Sequence, residues 1–506
     1  MFDEFTWQSH QQYLFNLRSM KVRFSSDQRA RLQALSNLRA KLSSLNLDPI
    51  GDYLSHYYPP FGRPARNQAQ ILRSLILFVS MGNKSEAGLS LTYWVKFVLP
   101  NDSVLVALMG AFSSTDLPPL GSYYDFMNRL WNGARDLYKR NSLLPAGKNS
   151  KKPKKDIGTD GKLAEEDTIT YSTRDIADQI LSSVPTTNNP EAILQDIFFL
   201  AAVLPSMKQG IIAGRDLTLS GDGTAVAVHT SPYGKPLKSP TISPDCHYDE
   251  NCPRHYSDPD ADWGWDSSKR AWYFGRTLYM ICYRSNAYKV ELPILMKFTR
   301  AKRHDSINFL YAYDELRRHI PGVHPRNFCL DSAHDNIPTY RLLEEHGINA
   351  LIDLNGRNKP NSALPDDIHS DSDGIPVCKG QYRMKYWGYD RNKDAVKYRC
   401  PLKCGDISDC PYSAECSKGS YGRTIYIKKD DDYRFHTSIP RGTERYKKIY
   451  SERTASERVN NRVLNNYHLL EMKIRGDEHY SFMTMIIGIC IHLDAQMKVK
   501  NASIHS

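Results

Sequence analysis

The chain has 506 residues, and its 67 lysines and arginines against 56 aspartates and glutamates give a formal charge of +11. Hydrophobic residues at 41% and aromatics at 11% suffice for a buried core, which excludes a disordered chain. The length suggests two to four domains, and the basic balance favours a polyanionic partner, a basic protein without one being the alternative. The N-terminal MFDEFTWQSHQQYLFNLRSM lacks the apolar run of a signal peptide, and the apolar stretches 197–204 and 483–493 are too short for a membrane span. Of the 10 cysteines, those at 378, 400, 404, 410 and 416 cluster, which in a reducing cytoplasmic compartment suggests metal before disulfide.

Residues 1–145 read as a helical N-terminal DNA-binding domain, or alternatively an ordinary helical bundle. Ser25 and Ser26 cap a helix through DQRARLQALSNLRAKLSSL, and Pro64 opens a second that stops near Gly82. SEAGLSLTYWVKFVL predicts a third ending before Pro100, and Ser122 caps YYDFMNRLW. Residues 146–210 hold the linker GKNSKKPKKDIGTDGK, its lysines a solvated tether or a phosphate contact, and then a buried helix, EAILQDIFFLAAVL.

From 211 the pattern changes. RDLTLSGDGTAVAVHT, RTLYMICYRS and LPILMKFTRA read as strands, with a long polar insert after the first. Asp305 and Ser306 cap a helix, and NFCLD is a strand ending at Asp331. NIPTYRLLEEHG is a helix between Asn336 and Gly347, and NALIDLN a further strand. The order β-β-β-α-β-α-β predicts a mixed α/β fold with a mainly parallel, covered sheet and an antiparallel edge, the element order of an RNase H-like core. That core is expected over 211–355 and 446–480, with a β-rich, cysteine-containing insertion at 356–445. A helix over roughly 449–475 returns to it, and an apolar helix in 481–506 closes the chain.

Three carboxylates fall at instructive places: Asp222 in the first strand, Asp331 ending the fourth, and Glu457 on the late helix. Phosphodiester cleavage needs an activated water and a stabilised leaving oxygen, which two Mg²⁺ ions held by a few carboxylates can supply. Carboxylates so close repel one another unless a cation compensates. Asp335, four residues after Asp331, competes as the second ligand. Asp331 is preferred because it ends the strand directly, Asp335 being placed to support the next helix.

Tyr450, Arg453 and Glu457 share one helix face at i, i+3 and i+7. Their segment, YSERTASERVNNRVL, resembles the Y-x2-R-x3-E-x6-K signature of DDE-type insertion-sequence transposases. SGDGTAV, RHDS, LDSAHDN and EEHGINALIDLNGR resemble that family in order, as do GRPARNQAQILRSLILF and LGSYYDFMNRLW near the N-terminus. The resemblance covers roughly residues 60–475. It implies Asp222, Asp331 and Glu457 as catalytic ligands of two Mg²⁺ (or Mn²⁺) ions, with Tyr450 and Arg453 positioning transposon-end DNA. It implies strand cleavage at terminal inverted repeats of double-stranded DNA, strand transfer into target DNA, at least a homodimer, and a prokaryotic cytoplasmic, nucleoid-associated setting. The signature's lysine position is Leu464 here, and Arg462 points to the opposite face. Rival readings are a nuclease without strand transfer and a catalytically impaired, transposase-derived DNA-binding protein.

In the insertion, QYRMKYWGYDRNKDAVKYR would allow phosphate contact with base stacking, a β-rich surface subdomain being the equal alternative. Cys378, Cys400, Cys404, Cys410 and Cys416 read as a structural zinc site or as free thiols. Cys246, Cys252 and His255 form a weaker second set.

Overall fold

The computed structural model describes residues 7–58, 65, 67–81, 90–131, 143–144, 172–186, 189–233, 235–236, 254–356, 364–416, 419–429 and 431–505. The lysine-rich segment 147–162, Cys246 and Cys252 lie outside them.

The centre is a six-stranded sheet built from β1 (Leu217–Ala227), β2 (Asp262–Asp266), β3 (Ala271–Ser285), β4 (Val290–Arg300), β5 (Pro325–Leu330) and β6 (Asn349–Ile352). One edge of β3 pairs with β1. Its other edge pairs first with β2 and then with β4. Across the sheet the order is β4-β3-β1-β5-β6. The β1–β3, β2–β3 and β3–β4 pairs are antiparallel, and only β1–β5 and β5–β6 are parallel. The sheet is therefore not mainly parallel, because the 286–289 turn folds β4 straight back on β3. Parallel pairing needs a longer crossover. Two helices provide it: α2 (Asp305–His319) precedes β5, and α3 (Ile337–Glu345) precedes β6. Asn336 caps α3 by accepting from the Thr339 N–H, and Gly347 at φ 70° ends it, as the sequence pattern predicts.

On the N-terminal side, Ser25 does cap a helix through a reciprocal box with Gln28, but that helix breaks at Leu35 into Ser26–Ala34 and Ser36–Ser44. The break lets Leu32, Leu42 and Leu45 all reach the core. Pro100 lies inside a terminal 3-10 turn rather than beyond the helix. Ser122 is not a cap, since its helix already begins at Leu120 behind Pro119. α1 (Gln68–Met81) is buried along nearly its whole length.

The late helix is shorter than expected and starts earlier. It runs from Glu444 to Tyr450, tightens over Ser451–Arg453, continues as α4 (Thr454–Asn461) and ends in a π turn at Asn466. The closing helix is longer: α5 spans Asp477–His505. Its 26-residue stretch Asp477–Ala502 is long and apolar enough to cross a membrane, and most of its apolar part is buried inside the protein. One side of α5 packs on β4 and the other on α1, so a single hydrophobic core runs from Tyr13 to Val499. Gly488 permits the close approach, because a Cβ there would meet Met296 and Phe198.

The insertion contains an antiparallel sheet of β7 (Lys385–Asp390), β8 (Ala395–Arg399) and β9 (Thr424–Lys428). It has its own small core, with Ile368, Ile375, Met384, Val396, Tyr398, Ile425 and Ile427 buried together. Its return limb is fastened by Arg441, which donates to the carbonyl of Ile352 at the end of β6 and to the Tyr340 hydroxyl on α3.

Candidate active site

Ser220 on β1 pairs with Cys329 on β5, and Asp222 and Asp331 each lie two residues further on. Parallel pairing thus carries both carboxylates to the same end of the sheet. Alternation along β1 puts Gly221 and Gly223 on the face opposite Asp222. Both must lack a side chain: a Cβ at Gly221 would come within 2.5 Å of the Tyr279 hydroxyl oxygen, and one at Gly223 would collide with the Asp305 carboxylate. Asp305 therefore flanks the strand from the α2 side. It is not the cap of α2, since His304 fills that role through the Ser306 N–H.

Each aspartate has a distinct electrostatic setting. Burial pushes the Asp222 carboxyl up to about 7, with the charges of Asp331 and Asp305 adding to the effect. Burial raises Asp305 in the same way. Asp331 is held below the usual carboxylate range. Burial opposes this, but the bond from His334 (Nδ1 to Oδ1, 2.6 Å) and the Ala333 N–H at 3.1 Å outweigh it. His334 is buried, and its Nε2 lies 2.9 Å from the Tyr279 hydroxyl, so the ring is fixed from both sides. Its own pKa is raised: burial works against the charged form, and Asp331 overcomes it.

α4 brings the third carboxylate. Arg453, Glu457 and Asn460 stand at i, i+4 and i+7, hence on one face. Asn460 Nδ2 donates to Asp222 Oδ2 at 2.9 Å, and Arg453 is close enough to favour the charged form of Asp222. Glu457 lies between these two residues on that face, half exposed, its Oε1 accepting from Arg453 Nη2 at 2.6 Å. Among the described residues no three Asp, Glu, His or Cys side chains are already arranged to hold one metal ion. Glu457 is paired with Arg453 and Asp331 with His334.

Tyr450 lies at the start of this segment with its hydroxyl 2.7 Å from Asp353 Oδ2 and 3.1 Å from the Leu330 carbonyl oxygen. Its ring stacks on Tyr446 at 5.3 Å. Leu464 packs against the main core, while Arg462 turns away to Asp494 and the Glu291 carbonyl. Asp335 is buried on the α3 side, accepting from the Tyr340 hydroxyl and the Asn355 N–H.

In the insertion, Cys378, Cys400, Cys410 and Cys416 line one small cavity with Arg423 and Lys403, whereas Cys404 is not among its lining residues. All eight described cysteines are free thiols, and the clustered ones are not arranged as a ligand set.

A family model of the transposase DDE domain matches residues 216–493, more than half of the chain. The chain belongs to this family. Membership makes this a transposase-type protein, with nucleotidyl transfer as its class of reaction and DNA as its substrate; DDE transposases generally use divalent metal ions. The matched region of the transposase starts just before β1 and ends within α5, so it includes Asp222, Asp331 and Glu457 and leaves the N-terminal helices outside. No curated protein matches the chain.

Proposed function

We propose that the protein cuts DNA strands at the ends of a mobile element and joins the freed 3′-hydroxyl to target DNA, using Asp222, Asp331 and Glu457. The observation that carries this reading is the Asn460–Asp222 hydrogen bond. It lays the face of α4 that bears Glu457 against the strand that bears Asp222, across 235 positions of sequence. The strand order β4-β3-β1-β5-β6, with its antiparallel first half and parallel second half, supports an RNase H-like core.

The donor set suits divalent magnesium or manganese: hard carboxylate oxygens, one of them driven toward its neutral form by burial and by its acidic neighbours Asp331 and Asp305. Bound at these residues, two such ions would supply the activated water and the Lewis acid for in-line displacement at phosphorus. The chain's own groups do the rest. His334 fixes the rotamer of Asp331, and Asn460 that of Asp222. Arg453 is only 26% exposed at its side chain and pairs with Glu457; its planar fork retains donors for a phosphate of the bound end. Tyr450 acts through position, pinning the start of the segment to β5 and so placing Arg453. In this reading the N-terminal helices, residues 1–145, grip the element's inverted repeats, and two copies of the chain hold the two ends.

Asp222→Ala, Asp331→Ala and Glu457→Ala are each expected to abolish Mg²⁺-dependent strand cleavage while duplex binding stays within about threefold of wild type. Cleavage retained by any one of them would remove that residue from the site. A joining assay with pre-cleaved ends separates a transposase from a nuclease of the same fold.

A further inference from the structure

The two aspartates are each held by one oxygen only. Asp331 Oδ1 accepts from His334 Nδ1 at 2.6 Å and from the Ala333 N–H at 3.1 Å, and Asp222 Oδ2 accepts from Asn460 at 2.9 Å. Among the described residues no hydrogen bond or ion pair engages Asp331 Oδ2 or Asp222 Oδ1. Each carboxylate is fixed in rotation and keeps one oxygen for a cation.

What holds His334 lies on another strand. Tyr279 stands in the middle of β3, opposite Gly223 of β1, and its buried hydroxyl meets His334 Nε2 at 2.9 Å. The phenol reaches that point because Gly221 has no side chain; a Cβ there would lie 2.5 Å from the hydroxyl oxygen. The Tyr279 and Phe309 rings also stand edge-on to the imidazole, at 5.9 and 5.8 Å. Facing a carboxylate, Nδ1 must carry a proton to make its bond, so Nε2 of the neutral ring is the acceptor. Tyr279 is the group that supplies a donor to it. β1, β3 and β5 therefore meet in one line: Gly221 admits the phenol, the phenol fixes the imidazole, and the imidazole fixes Asp331.

We propose that Tyr279 is a positioning residue for the metal-binding carboxylates: by donating to Nε2 it selects the Nδ1–H tautomer of His334, and that tautomer holds Asp331 with Oδ2 open to a divalent ion. This rests on the reading of Asp222, Asp331 and Glu457 as metal ligands. Tyr279 would touch neither metal nor DNA. Outer partners that orient a ligand in this way change metal affinity by roughly 10- to 100-fold when removed.

The test is Mn²⁺ binding to the full chain without DNA, read from the electron paramagnetic resonance signal of free Mn²⁺. Tyr279→Phe keeps the ring and its packing and removes only the hydroxyl; it should weaken binding about tenfold or more. His334→Asn places an amide N–H at the same bond separation from the backbone as Nδ1, and an amide has no tautomer to select. In that background Tyr279→Phe should therefore cost nothing further. Unchanged Mn²⁺ affinity in Tyr279→Phe overturns the proposal, even if thermal stability falls, because the hydroxyl would then be structural only. A full further loss on top of His334→Asn overturns it as well. Asp331→Asn is measured beside them. If it leaves Mn²⁺ binding unchanged, the metal-site reading falls and the proposal with it. If it abolishes binding while Tyr279→Phe does not, that reading stands and the positioning role alone falls.

Discussion

Asp222→Asn should stabilise the metal-free protein while removing its activity. Burial raises the Asp222 carboxyl from its ordinary 3.8 to about 7, so the native state binds this proton more tightly than the unfolded chain does. Through this group the metal-free protein keeps its full stability below pH 3.8. It loses stability as the pH rises toward 7, and stays lower above that. The gap corresponds to about 4 kcal/mol, an upper bound because the carboxyl is partly exposed. Asparagine has nearly the same shape, can still accept from Asn460 and carries no charge. In EDTA at pH 8 the variant should therefore exceed wild type by up to about 4 kcal/mol, and its advantage should shrink toward pH 4. Urea denaturation followed by far-UV circular dichroism measures both. Adding Mg²⁺ should then stabilise wild type, by about 2.7 kcal/mol at 100 times the dissociation constant, and not the variant. Equal stability at pH 8, or an advantage that does not change with pH, would refute the strained-carboxylate account of this site.

Two further expectations concern the scaffold. Lys297 is buried with Glu315 at 2.5 Å and Glu191 at 3.6 Å, so Lys297→Met strands two carboxylates whose pKa values burial already raises. Denaturation midpoints at pH 7 should report a loss of about 3–5 kcal/mol, and a smaller one at pH 5 where the carboxyls take up protons. His492 uses both ring nitrogens, Nδ1 with Ser206 and Nε2 with the Pro293 carbonyl, and burial holds its pKa at about 4. The native state refuses a proton that the unfolded chain accepts, so about 3 kcal/mol should be lost as the pH falls from 6.5 to 4. His492→Gln should flatten that part of the stability profile; an unchanged slope would show that the ring can protonate in place.

Much of this molecule is legible in its sequence where local pattern and tertiary need agree. β1 and β5 have period-appropriate apolar residues and α3 has its own cap, so Asp222 falls within its strand and Asp331 directly after one. The site's supporting residues are harder to see. Asp305 reads as a helix cap because Asp is a good one, yet His304 takes that position and leaves the carboxylate free to approach Gly223. Asn460 follows Glu457 by three residues and Arg453 by seven, which puts it on the same helix face, a usable signal. His334 gives no such sign, since only the turn after β5 brings it back onto Asp331. The parallel bias expected of the sheet fails because apolar strands look alike whichever way they pair. α5 is underestimated because polar residues interrupt its apolar run, and the structure buries several of them: His479, Ser481, Thr484, His492 and Gln496.

A helix wedged between two bodies leaves them no hinge. α5 presses on β4 with one side and on α1 with the other, so the N-terminal helices and the carboxylate-bearing strands share a wall rather than a tether. If the N-terminal helices grip DNA as proposed, its distance to Asp222 is set by interlocked side chains. The accuracy with which one phosphate among many is selected would then be a property of rigid architecture, with a built-in ruler in place of a flexible arm.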